Sequence, residues 1–181
     1  NNSEPLGTVG HFQGNPAAFA ANSGAPNAYI AVNFQSTTGA GVISNWLITP
    51  PVNMTNGDIF TFWTRTTDPG ATVFPDRLQL RVSLNGTSTN VGTTSTDVGD
   101  FTNLAVEINP TLTTTGYPSV WTQYSYTVTG LPAQTVGRFT FRYFVTDGGP
   151  TGANSDYIGI DDVVFNGQNP GCTATPAPGN T

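Results

Sequence analysis

Residues 77–84 read RLQLRVSL and residues 138–146 read RFTFRYFVT, and in both stretches an apolar side chain follows a polar one at every second position. That period of two places Leu78, Leu80, Val82 and Leu84 on one face of a strand, with Gln79, Arg81 and Ser83 on the solvent side. Phe139, Phe141, Tyr143 and Val145 share a face in the second stretch, opposite Arg138, Thr140 and Arg142, and Phe144 interrupts that polar row. Six more segments carry strand patterns: 29–34, 42–48, 59–64, 104–108, 121–128 and 157–165. Asn56-Gly57 and Asn85-Gly86 supply residues that tolerate positive φ between apolar runs. No helical period is found. The expectation is an all-β, antiparallel, jelly-roll-like β-sandwich of about eight strands.

A chain of 181 residues with 36% hydrophobic content buries one sizeable core. The domain expected is a single sandwich over residues 1–168, with Asn1 to Asn27 packing as loops. Residues 169–181, ending CTATPAPGNT, read as a Pro/Thr-rich linker or tail. Charged residues are only 9%, there is no Lys, and five dispersed Arg against eleven acids leave a net charge of -6. Nucleic acid binding needs a basic footprint and is disfavoured. No apolar run is long enough for membrane insertion by this segment, and a lone Cys172 forms no internal disulfide. The neutral, hydroxyl-rich composition points to an extracellular or cell-surface setting.

Catalysis finds no home in the sequence. His11 is the one His, sits in a Gly-rich stretch and has no evident acid partner. Asp161 and Asp162 are adjacent on a strand, so alternation points them to opposite faces and away from a joint dyad. No catalytic residue is assigned; a glycoside-acting enzyme ranks third, behind two binding readings. Calcium takes six to eight hard oxygen ligands, and Asp147, Asn154, Asp156, Asp161 and Asp162 offer such an inventory for a structural ion. The competing reading makes residues 147–150 an ordinary turn, with Asp156 capping the next strand. Tyr117 and Phe74 fall in loops beside prolines and are the ligand-binding candidates, whereas Trp63 and Trp121 read as packing residues. Sequons stand at Asn1, Asn53 and Asn85.

Ordered phrases across residues 4–165 carry a resemblance. PLGTVGHFQGNP at the start, ISNWLITPPV, FPDRLQLRVSLNG, GYPSVWTQYSYTVTGLP and the closing YIGIDDVVF together resemble the choice-of-anchor J domain of bacterial surface and secreted proteins, related to the cleaved adhesin domain. The resemblance implies a secreted jelly-roll module, adhesive or glycan-binding and not catalytic. Its closing motif falls on Gly159, Ile160 and Asp161, near which related sandwiches hold calcium. Two departures stand out: the family's first strand, ending in Gly-Trp, is missing upstream, and His11 stands where members carry Trp. A sheet lacking that strand exposes an open edge, so self-assembly into a surface fibre by strand donation is a further expectation. The partners expected are thus a glycan, another surface protein, or a second copy of the chain. The runner-up is a calcium-stabilised carbohydrate-binding module.

Overall fold

The structure, a computed structural model, describes residues 1–70 and 72–167; the expected tail and Cys172 lie outside the described residues. Eleven strands are found there: β1 (Glu4–Leu6), β2 (Phe12–Gln13), β3 (Ile30–Asn33), β4 (Thr37–Ile48), β5 (Val52–Met54), β6 (Ile59–Thr66), β7 (Leu78–Ser83), β8 (Asn103–Ile108), β9 (Thr122–Thr127), β10 (Thr135–Gly148) and β11 (Tyr157–Asn166). One sheet runs β1-β4-β10-β7-β8, with β5 also on β10, and the facing sheet runs β2-β3-β11-β6-β9. All these pairings are antiparallel. All eight strands read from the sequence are present. The three additional ones have two or three residues each, too few for a period to show.

The two inner faces meet in one apolar cluster. Phe139, Phe141, Tyr143 and Val145 of β10 face Phe60 and Phe62 of β6, with the Phe60 and Phe139 rings stacked at 4.2 Å. Each such ring removed from water contributes about 1.5–3 kcal/mol, so these alternating positions set the register of both sheets. Gly57 and Gly86 adopt positive φ, as the Asn-Gly turns require.

Alternation correctly places the inner faces but not all of the outer one. Gln79, Ser83, Thr140 and Arg142, expected at the solvent, are buried at 4% exposure or less. The connection between β7 and β8 folds over that face: Phe101, itself buried, lies against Trp46, and the Ser95 carbonyl accepts from Arg142 Nη2 at 2.5 Å. Arg142 is held between the rings of Trp46 and Phe144, at 4.8 and 3.8 Å from their centroids. The interruption at Phe144 therefore has a use, as a stacking plate for Arg142 and Arg77. Leu84 is exposed because β7 ends at Ser83.

The outer face of the second sheet is partly covered too. Residues 14–28 lay Phe19 against Tyr29, Trp121 and Tyr157, making a second aromatic cluster outside the sandwich. Gly159 makes room for it: a Cβ there would stand 2.8–2.9 Å from Phe19, Trp121 and Tyr29. The N-terminal residues do pack, but not as loops alone: β1 and β2 fall within residues 1–27 and pair with β4 and β3.

Candidate functional site

The closing Gly159-Ile160-Asp161 of β11 acts structurally, one residue at a time. Gly159 admits the rings, Ile160 enters the core, and Asp161 Oδ2 accepts the backbone N–H of Asn22 at 2.8 Å and of Ser23 at 3.3 Å. Asp162 then accepts from Asn22 Nδ2 at 2.7 Å and from Ser23 Oγ at 2.5 Å. Strict alternation would send these two carboxylates apart. A bulge between Asp161 and Val164, with Asp162 at φ 44°, breaks it, and both acids grip the same loop. The Ser23 hydroxyl, and after it the Asn22 amide, hold the Asp162 carboxyl below its usual range.

The five residues expected around calcium do not converge on one cage. Asp156 lies five residues before Asp161, about 16 Å along an extended strand. Its Oδ2 accepts from Thr67 Oγ1 at 2.6 Å, and Asn154 Nδ2 donates to the Thr146 carbonyl. Asp147 adopts φ 50° within β10, where its pairing with β4 shifts register between Val145 and Gly148. No group of three or more His, Cys, Asp or Glu among the described residues is arranged to hold a metal ion. The set does not fit calcium as one site.

Tyr117 and Phe74 do come together. A cleft of about 450 Å³ opens between residues 66–76, which join β6 to β7, and residues 113–119, which lead into β9. Such a volume lies within the range of ligand pockets. Tyr117 is not the exposed ring expected: at 7% exposure it lines the cleft from below, its hydroxyl hydrogen-bonded to Thr64 Oγ1 at 2.7 Å. Its neighbour Pro118 ties the two segments by accepting the Thr66 N–H at 2.8 Å. Phe74 is 40% exposed and offers an accessible ring. Around it stand the hydroxyls of Thr67, Thr72, Thr114, Thr115 and Ser119, with the carboxylates of Asp68, Asp76 and Asp156.

Asp76, which sequence reasoning did not single out, is the deepest of these. It is 1% exposed, and its Oδ1 accepts from Tyr143 OH at 2.5 Å and from the Asp156 N–H at 2.8 Å. Thr66 Oγ1 lies 2.7 Å from Oδ2 and 3.1 Å from the Tyr157 carbonyl. Desolvation raises the Asp76 carboxyl to about 6, against the lowering effect of these donors. The Thr66 hydroxyl has one proton for two acceptors, so a protonated Asp76 donates to Thr66 and Thr66 turns to Tyr157. Either protonation state is satisfied. Nothing in the period of two marks Asp76; only its position just before β7 hints at a strand-end role.

A second cavity, of about 650 Å³, lies at the edge of the sandwich between Leu47 of β4 and Ile30 and Ile160 of the facing sheet. His11 lines it, with a buried Nε2 that has no hydrogen-bond partner among the described residues, and burial brings its pKa down to about 4. Both carboxylates at this cavity are the ones already engaged with Asn22 and Ser23.

The chain is thus an all-β, two-sheet sandwich module with a cleft lined by Thr, Ser and Asp residues and one open ring. It is similar in structure to the K1 cleaved adhesin domain of Lys-gingipain from Porphyromonas gingivalis, with a TM-score of 0.56 and 25% identity over 87% of this chain and 83% of that one. The K2 cleaved adhesin domain of Lys-gingipain shares the fold at a TM-score of 0.50 and 19% identity, covering 86% of this chain and 81% of that one. So does a structure described under the promiscuous specificity of carbohydrate-binding modules from the beta-sandwich superfamily, at a TM-score of 0.51 and 12% identity, covering 91% of this chain and 54% of that one. These neighbours are adhesin and carbohydrate-binding domains, and an adhesin-like β-sandwich is the description they support. No protein-family model matches the chain, and no curated protein sequence matches it. Among the described residues no helix is long and apolar enough to cross a membrane.

Proposed function

We propose that this chain is an extracellular, non-catalytic adhesive module that recognises carbohydrate in the cleft between residues 66–76 and 113–119. The observation that carries the reading is the pairing of Phe74, an accessible ring, with facing hydroxyls and carboxylates in one recess. Sugars offer an apolar ring face for stacking and a rim of hydroxyls for hydrogen bonds, and this lining answers both. The adhesin and carbohydrate-binding neighbours support the same class. The test is a glycan array probed with the chain and with Phe74→Ala: the wild type binds a defined subset, and the variant, folded by circular dichroism, loses it. Binding that survives the substitution puts the site elsewhere.

A second reading, self-assembly by strand addition, has one observation in its favour. β3 pairs with β11 only from Tyr157 to Ile160, so beyond Ile160 that side of β11 has no strand partner among the described residues, and the exposed Val163 and Val164 follow. Size-exclusion chromatography with light scattering tests it: concentration-dependent oligomers support strand addition, and a monomer at high concentration rejects it.

A further inference from the structure

We infer that the cleft selects uncharged sugars and turns away uronic and other acidic ones, an inference that rests on the carbohydrate reading of the same site. No cationic side chain lines the recess, and three carboxylates do. The chain has five Arg and no Lys, none of the five lines the recess, and each makes contacts elsewhere, although Arg77 Nη2 is buried with no hydrogen-bond partner among the described residues. Arg138 donates to the Thr49 and Thr87 carbonyls, Arg81 to Gln79 and the Phe101 carbonyl, and Arg77 to the Phe144 and Pro110 carbonyls. Arg142 lies buried beneath the connection that ends at β8. Arg65 donates to Asp68 Oδ1 at 2.7 Å and stacks over Phe19 on the outer face of its sheet.

What remains in the recess is mainly capacity to accept. Asp68 uses one oxygen on Arg65 and Asp156 one on Thr67, and the second oxygen of each has no protein partner among the described residues. Two such oxygens on residues that line the recess with Phe74 fit a ligand that brings several hydroxyl donors and no negative charge. A carboxylate on the sugar would lack a cationic partner there and face like charge as well, which favours the neutral ring by roughly tenfold or more.

The decisive probes are matched pairs that differ only at C6: methyl glucoside against methyl glucuronide, and methyl galactoside against methyl galacturonide. Saturation-transfer NMR at neutral pH and low salt, with Phe74→Ala as the site control, reads weak binding directly. At least one hexoside gives transfer that depends on Phe74, and its uronide binds about tenfold more weakly or not at all. Asp68 carries a largely exposed side chain, so Asp68→Asn keeps the fold, and it narrows the gap between the members of a pair. A uronide that binds as well as its hexoside in a Phe74-dependent way overturns the selectivity but keeps the carbohydrate site. Absence of Phe74-dependent transfer from either member of both pairs overturns both.

Discussion

Tyr143 donates its hydroxyl to Asp76 at 2.5 Å, joining the middle of β10 to a carboxyl that is 1% exposed and has no cationic partner among the described residues. This acid binds its proton more tightly in the folded chain, near pH 6, than in the unfolded one, near the ordinary value of 3.8. Its contribution to stability is therefore best below about pH 4, falls as pH rises through 6, and costs about 3 kcal/mol once ionised.

His11 does the reverse. Its folded pKa of about 4 lies below the ordinary 6.5, so acidification charges it in the unfolded chain first and costs stability as pH falls from 6.5 through 4. Across pH 4–6 the two effects oppose each other within about 3 kcal/mol. Urea denaturation from pH 4 to 7 separates them: relative to wild type, Asp76→Asn gains stability with rising pH and His11→Phe gains it with falling pH. Parallel curves for all three proteins contradict the assignment.

Replacing Asp161 by Ala leaves the amides of Asn22 and Ser23 without their acceptor and costs about 1–3 kcal/mol. Asp162→Ala, at a more exposed position, costs less than about 1 kcal/mol. Hydrogen exchange over residues 15–28 accelerates in Asp161→Ala while β10 amides keep their protection; uniform acceleration would mean that the loop is no separate unit.

Gly159→Ala pushes a methyl into Phe19, Trp121 and Tyr29. The expected loss is about 1–3 kcal/mol, with a changed Trp fluorescence spectrum as Trp121 shifts against Phe19. An unchanged spectrum with wild-type stability would show that the cluster yields without cost.

Arg142 has two aromatic plates and acceptors at Ser44 Oγ and the Ser95 carbonyl, but no paired carboxylate. Arg142→Lys keeps the charge and loses the planar stacking, at an expected cost of about 1–3 kcal/mol by chemical denaturation. Equal stability would assign the role to charge alone.

These residues also mark where sequence reading succeeds. Positions 78, 80, 82, 139, 141, 143 and 145 announce themselves because a two-sided strand forces one row inward. Arg142 and Gln79 did not: Arg142 lies under the β7–β8 connection and Gln79 is bonded to Glu107 and Arg81, contacts that no local period encodes. The pinning role of Asp161 and Asp162 was hidden by a bulge, which reverses side-chain direction without a compositional signal. Of the two ring candidates, Phe74 is open as its loop position suggests, and Tyr117 is closed because Thr64 takes its hydroxyl.

The two roofed sheets have an evolutionary corollary. With Arg142 sealed under one connection and Gly159 under another, much of each broad surface is given over to scaffold, and sequence drift there is penalised as misfolding. Residues 67–70, 72–75 and 113–116 carry no strand, so these connections can be exchanged to acquire new ligand preferences while the hydrogen-bonded sheets behind them stay as they are.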